Sequence, residues 1–374
     1  MTELNVKDFG AIGDGIADDT TAIQAAIDKG AELGLPVRFP GGRYSVGELK
    51  LRHGSVLVAE PTWGFREYGK TQILQRFPEQ RCVLNLSEAF SATLNGLSLV
   101  GLGREAGGSC CGILSRKEKQ AHMEDTYRLE RLRSSNFAGD GCRFVRPWCF
   151  TVRHCMFSHN GGDGFHLQNG FDGFILDTWF SGNRGCGYGT SGENNAVTMS
   201  GCRVEWNAGG GIVIRGGSHY QLTGNYVDRS GKQAILITTG EWEGKTIYSN
   251  TISATGNILY RSGKFAEDDP RNSAHIAVEQ AAGVTVMGNT LCVGRDDGGD
   301  GRLSPRTGIM VTGCRYTVVS GNTMFAAALD NLLVAKDNRD TIIENNPGSL
   351  FDRELAALPN LPSTSAVTRL FEEV

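Results

Sequence analysis

The chain has 374 residues, 40% of them hydrophobic and 21% charged, with a formal net charge of −4. That balance leaves no basic patch of the kind that tracks nucleic acid, and no apolar run approaches the ~18 residues of a membrane span. Fifty-one glycines against ten prolines, with no three-residue period, exclude collagen and a disordered linker and suit a chain that turns many times.

The first 35 residues read as a cap. No apolar leader segment is present, so the chain is expected to be cytoplasmic, or secreted if a signal peptide has been removed. Thr21 with Gln24 fits a capping box, and Asp18 and Asp19 suit a helix N-terminus. Ala22, Ile23, Ala26, Ile27 and Leu33 then form one apolar face, predicting an amphipathic helix over 18–33 that plugs the end of a solenoid. Residues 36–100 hold irregular early coils.

From there a repeat emerges. Gly141, Gly164, Gly187 and Gly211 are spaced 23, 23 and 24, and Asn160, Asn183 and Asn207 are spaced 23 and 24. Between them short stretches alternate apolar and polar, as in Cys142–Val145, Phe165–Gln168, Ile212–Arg215, Ile235–Thr238, Ile276–Glu279, Ile309–Thr312 and Leu332–Ala335. Period-2 runs of four residues bounded by Gly/Asn turns are strands. One coil per ~23 residues, each strand pairing in parallel with its counterpart ~4.8 Å away, makes an all-β, single-stranded right-handed parallel β-helix over 36–345. Cys155, Cys202, Asn225, Asn250, Asn289 and Asn322 are expected to share a turn column in which stacked Asn amides bond from coil to coil. Residues 258–273 and 294–307 read as loops. Segment 346–374, with Pro347, Pro359 and Pro362, reads as an extended tail with a short terminal helix.

The ten cysteines include no C-x-x-C pair, and several sit at repeat positions, so they read as reduced packing residues. No metal cofactor is called for. Asp296, Asp297 and Asp300, or Glu267, Asp268 and Asp269, could hold Ca²⁺, but without EF-hand spacing they read as solvated loop charges.

Chemistry is expected on the flank. Ser158, Ser181, Glu205, Asp228 and Ser253 align in one column, which makes Glu205 and Asp228 neighbours on adjacent coils. Two stacked carboxylates repel, one holds its proton to higher pH, and such a pair can act as acid and base on a glycosidic bond. The bland alternative is pairing with Arg203 and Arg229. Trp206 would offer an indole platform for a sugar, or else pack inward. Arg153 and Asp177 are expected to stack in a column with Ser200 and Thr223, as substrate contacts or as a surface ion pair. His166, Gln168 and Arg215 project outward from the first strand of their coils. His166 is a candidate base or sugar contact, weighed against an inert surface histidine.

The stretch Asn5-Val6-Lys7-Asp8-Phe9-Gly10-Ala11-Ile12-Gly13-Asp14-Gly15, continuing through Asp18-Asp19-Thr20-Thr21-Ala22-Ile23-Gln24-Ala25-Ala26-Ile27-Asp28, resembles the N-terminal cap of the pectate-lyase-like β-helix superfamily. That group includes polysaccharide lyases, polygalacturonases, mannuronan C5-epimerases and phage tailspikes. The resemblance implies the fold and a poly- or oligosaccharide ligand, and trimers are common among relatives of this shape. The catalytic elements of polygalacturonases are absent from the coils. The epimerases' Asp-Pro-His-Glu motif has as its nearest counterpart Asp163-Gly164-Phe165-His166-Leu167-Gln168, without the Pro and without both acids in place. Three functions stay open. A glycoside hydrolase or transglycosylase would use Glu205 and Asp228. A uronate lyase or epimerase would use Arg153, His166 and Arg215. A tailspike-like module would bind glycan without turnover.

Overall fold

The computed structural model describes residues 3–120, 122–263, 269–293 and 304–351. The expected terminal helix, the acids at 267, 268, 296, 297 and 300, and the tail beyond 351 lie outside the described residues.

Among the described residues, three long parallel sheets of 13, 12 and 11 strands run the length of a solenoid, and each complete coil contributes one strand to each sheet. In one coil, Trp148–Arg153 belongs to sheet A, Met156–Ser158 to sheet B and Phe165–Gln168 to sheet C. Three-residue strands in sheet B leave one side chain inward and two outward, because successive Cβ atoms alternate between faces. The inward column there is Ser134, Phe157, Phe180, Val204, Val227 and Leu259, all fully buried. Phe157 and Phe180 stack with ring centroids 5.6 Å apart. Each apolar side chain in the column contributes about 2 kcal/mol by leaving water.

The turn from sheet A to sheet B is tight and polar, and its buried backbone groups need partners. They find them in an amide ladder. Cys202 N–H donates to Asn225 Oδ1, and Asn225, Asn257 and Asn289 each donate through backbone N–H and Nδ2 to the next Asn oxygen, ending at Asn322 and Asn346. The ladder residue is Asn257, not the expected Asn250, which starts a sheet A strand. A second ladder, Asn160, Asn183 and Asn207, lines the turn from sheet B to sheet C.

The displacement of Asn257 has a physical cause. Gly240–Trp242 and Lys245–Ile247 form an antiparallel hairpin that lengthens its coil, so Asn225 and Asn257 are 32 residues apart where Cys202 and Asn225 are 23 apart. Glu243 and Gly244 both have positive φ, 48° and 74°, as a two-residue hairpin loop with the twist of its strands requires. Near the C-terminal end the expected pairing of Ile309 with Leu332 is also one residue off: Ile309 pairs with Leu333.

The helix spans Thr20–Leu33 and buries Ile23, Ala26, Ile27 and Gly30 against the first strands. A Cβ at Gly30 would meet the Val37 side chain at 2.6 Å, so only glycine lets the helix lie this close. The expected capping box does not form. Asp19 is the N-cap residue, but its carboxylate accepts from the backbone of Ile12 and Gly13, while Gln24 bonds the backbone of Lys50. Leu33, expected on the apolar face, is 50% exposed. No helix among the described residues is long and apolar enough to cross a membrane.

Candidate functional site

Glu205 and Asp228 pair in register as the last residues of adjacent sheet B strands. The column continues from Asp228 to Tyr260, not to Ser253, because the hairpin insertion moves Ser253 onto sheet A. Both acids are buried and already engaged. Arg203 Nε donates to Glu205 Oε1 at 3.0 Å. Asp228 receives Arg229 Nη1 at 2.5 Å, Arg261 Nε at 3.1 Å and Arg261 Nη2 at 2.8 Å. Burial pushes the Asp228 carboxyl above its ordinary range, against the pull of both guanidinium groups. The three arginines in turn lie over rings: Arg203 over Tyr226 at 4.3 Å, Arg229 over Trp206 at 4.1 Å and Arg261 over Tyr260 at 4.0 Å. The flank of sheet B is thus a pavement of cation–ring contacts with its negative charge cancelled in place.

Trp206 follows Glu205 with φ 60° and is 42% exposed. One coil earlier Gly182 fills the same backbone conformation. A bulky residue there carries strain that glycine would avoid, and it presents the indole outward.

Arg153 and Asp177 are not register partners. Arg153 pairs with Leu176, and Leu176 in turn with Ser200, while Asp177 lies one residue further on, in a left-handed turn at φ 49°. The two still approach to 3.7 Å, both half exposed, and His154 reaches the same carboxylate at 3.5 Å. This surface group lies at the end of sheet A, away from the residues of sheet C.

On sheet C the residues converge. Arg143 pairs with His166, and Val145 with Gln168. His166 pairs with Gly189 and Gln168 with Ser191. His166 Nδ1 lies 2.7 Å from Asp163 Oδ2, and His166 Nε2 lies 2.9 Å from Ser191 Oγ. A carboxylate only accepts, so in the neutral ring Nδ1 carries the proton and Nε2 accepts from the Ser191 hydroxyl. Asp163 is itself fixed, because its Oδ1 accepts from Cys186 N–H at 2.6 Å. A Cβ at Gly185 or Gly189 would collide with the Asp163 carboxylate, so these two glycines make its berth.

Around this centre stand more charges. Asp140 accepts from Arg143 Nη1 at 2.9 Å and from the Asp163 backbone at 2.7 Å. Burial first, and the Asp163 carboxylate second, push Asp140 above its ordinary range. Arg215 lies one coil beyond Ser191, its backbone tied to Thr190 Oγ1. Burial pushes the neighbouring Cys186 thiol up to about 12, with Arg215 pulling back, so Cys186 stays protonated. The hairpin forms a wall beside the site: it packs on Tyr188–Ser191, and Trp242 lies 5.1 Å from the Arg146 guanidinium.

His166, Gln168 and Arg215 therefore lie together on sheet C, and Glu205, Asp228 and Trp206 on sheet B. Sequence reasoning missed Ser191, Asp140 and the hairpin. The hairpin had a signal, alternating residues around Glu243-Gly244. Ser191 had none, since its contact with His166 runs diagonally across two coils. All ten cysteines are free thiols, eight of them buried. Among the described residues no group of three His, Cys, Asp or Glu is placed to hold a metal ion.

Comparison with known proteins agrees with this architecture. Residues 111–252 match the family described as right handed beta helix region, and residues 4–90 match rhamnogalacturonase A/epimerase, pectate lyase-like. A mannuronan C5-epimerase of Azotobacter vinelandii, AlgE5, is 27% identical over 237 residues, 58% of this chain and 23% of the relative. The chain thus spans about a quarter of that relative's length. The A-module of the A. vinelandii mannuronan C-5 epimerase AlgE4 superposes with a TM-score of 0.70 at 18% identity, covering 93% of this chain and 100% of the module. Tailspike protein 2 of an Escherichia coli O157:H7 bacteriophage superposes with a TM-score of 0.69 at 15% identity, covering 86% of this chain and 42% of the tailspike. At these identities the structural likenesses concern the fold.

Proposed function

We propose, from the premise that this chain belongs to the pectate-lyase-like superfamily of right-handed β-helices, that it is a polysaccharide-modifying enzyme whose reacting centre lies on sheet C. The observation that carries this reading is His166, oriented by Asp163 through Nδ1 and left with Nε2 as a proton acceptor. A base oriented by a carboxylate is the recurring device for moving a proton in catalysis. Arg143 and Arg215 flank it and suit a glycan bearing carboxylates, which guanidinium groups bind in two-point fashion. The wall made by the hairpin and the line of outward residues Gln168, Ser191 and Arg215 suit an extended chain lying along the solenoid.

A second reading, glycosidic hydrolysis by Glu205 and Asp228, draws support from their register. Burial of Asp228 would suit an acid. Against this reading, three guanidinium hydrogen bonds occupy Asp228 and its side chain is 5% exposed, so a glycosidic oxygen has no approach.

The test is a panel of neutral and uronate-containing glycans. Reducing ends, unsaturated-uronate absorbance, solvent-deuterium uptake at sugar carbons and acid release are followed together. The reading expects turnover of an acidic glycan in at least one channel, lost in His166→Asn. Turnover of neutral glycans alone, unchanged in His166→Asn, would refute it.

A further inference from the structure

Ser191 has no part so far except as a neighbour of His166. Its hydroxyl is the one group that the chemistry of the site points at. Asp163, His166 and Ser191 form an unbroken chain, 2.7 Å from carboxylate to Nδ1 and 2.9 Å from Nε2 to Oγ. In the neutral ring the hydroxyl proton is directed at the base, and that arrangement activates a hydroxyl for attack. The three residues come from a turn, a strand and the next strand, and each is fixed by the coil. Asp163 is held by Cys186 N–H and berthed by Gly185 and Gly189. The backbones of His166 and Ser191 lie in ladder pairs, opposite Gly189 and Gln168. His166 and Asp163 are 14% and 15% exposed, enough for substrate to reach the line without flooding it.

We propose that Ser191 is a nucleophile and that this centre removes O-acyl groups from an acylated acidic glycan. The inference rests on the reading of sheet C given above and names its reaction. Ser191 Oγ bonds to the ester carbonyl carbon while His166 Nε2 takes the hydroxyl proton. The negative charge on the carbonyl oxygen is met by the side-chain N–H groups of Gln168 and Arg215, residues of the coils before and after Ser191, the Arg215 backbone N–H being already given to Thr190 Oγ1. The carbonyl-to-sugar-oxygen bond then breaks, and His166 returns the proton to the departing sugar hydroxyl. Water attacks the acyl-serine as His166 takes one of its protons. The acyl–Oγ bond breaks, the proton returns to Ser191, and a free carboxylic acid leaves. The sum is ester plus water giving alcohol plus acid, with no other reactant. An ester is the fitting bond because sugar hydroxyls are leaving groups that one histidine can serve.

The experiment uses the full chain, an acetylated polyuronate and its chemically deacetylated form. Acetate release is measured, and a fluorophosphonate probe is added to the wild type to find the labelled residue by mass spectrometry. The expected result is acetate from the acetylated polymer, a phosphonyl adduct on Ser191, and acetate release at least about 100-fold lower in Ser191→Ala, with glycan binding kept. The adduct on the wild type needs no variant to fold. Absence of acetate release, or Ser191→Ala working at the wild-type rate, would overturn the proposal. If the wild type instead forms unsaturated uronate or exchanges a sugar carbon proton, and His166→Asn does not, the nucleophile fails while the His166-centred reading stands. If no glycan is bound or changed, both fail.

Discussion

Two flanks of one solenoid carry almost the same residue types and use them in opposite ways. On sheet B, Glu205 and Asp228 stack one coil apart, and arginines from their own and neighbouring coils neutralise them. On sheet C, one carboxylate holds a histidine, and the histidine's other nitrogen faces a hydroxyl. The first arrangement completes itself and has nothing left to give a substrate. The second ends in a group whose proton can move. Stacked carboxylates are therefore a poor marker of a site on a β-helix unless the column beside them lacks arginine.

The contrast can be broken at several points, in descending order of effect. His166→Asn is expected to lower turnover by about 10²- to 10⁴-fold and, because the imidazole is largely covered and bonded at both nitrogens, to cost about 1–3 kcal/mol of stability as well. Initial rates and thermal melts check this.

Sheet C also holds a histidine in the opposite setting. His275 is fully buried, and burial pushes it down to about 3. Its folded pKa is depressed below the unfolded value near 6.5, so its contribution to stability is complete above pH ~6.5 and is lost as pH falls toward 3. The expected slope is up to about 1.4 kcal/mol per pH unit in that window. Denaturant midpoints of the wild type should fall with pH in that window, and those of His275→Leu should fall less.

Glu205→Gln removes a charged acceptor from Arg203. It is expected to cost about 1.5–3 kcal/mol in denaturant melts while leaving turnover within about threefold. Trp206→Ala should relieve the strained backbone only in part and remove an exposed ring. The expected cost is about 1 kcal/mol in glycan affinity by calorimetry if bound chains extend onto sheet B, and nothing if they stay on sheet C.

Much of this was legible in the sequence wherever coils keep a constant length. The pairing of Glu205 with Asp228 follows from a 23-residue offset, and the pairing of Phe165 with its successors from the same rule. Errors begin where the offset changes. The hairpin adds residues after Thr238, so Ser253 and Asn250 were assigned to columns that Tyr260 and Asn257 occupy. Asp177 differs for a smaller reason: the offset between these two coils is 23 residues, which sets Leu176 opposite Arg153 and makes Asp177 the counterpart of His154, both left-handed at the strand end. The site on sheet C was half visible. His166 and Asp163 are three residues apart around a turn, but the reach of His166 to Ser191 depends on rotamers and on Gly189 leaving room for Asp163. No periodic pattern encodes a diagonal contact.

The most direct test sets the two flanks against each other on one substrate. It compares kcat/KM of His166→Asn and Glu205→Gln for the same acidic glycan. The account predicts a fall of at least about 100-fold for His166→Asn and a change within about threefold for Glu205→Gln. Loss of activity in Glu205→Gln with His166→Asn near the wild type would contradict it and move the reaction to sheet B.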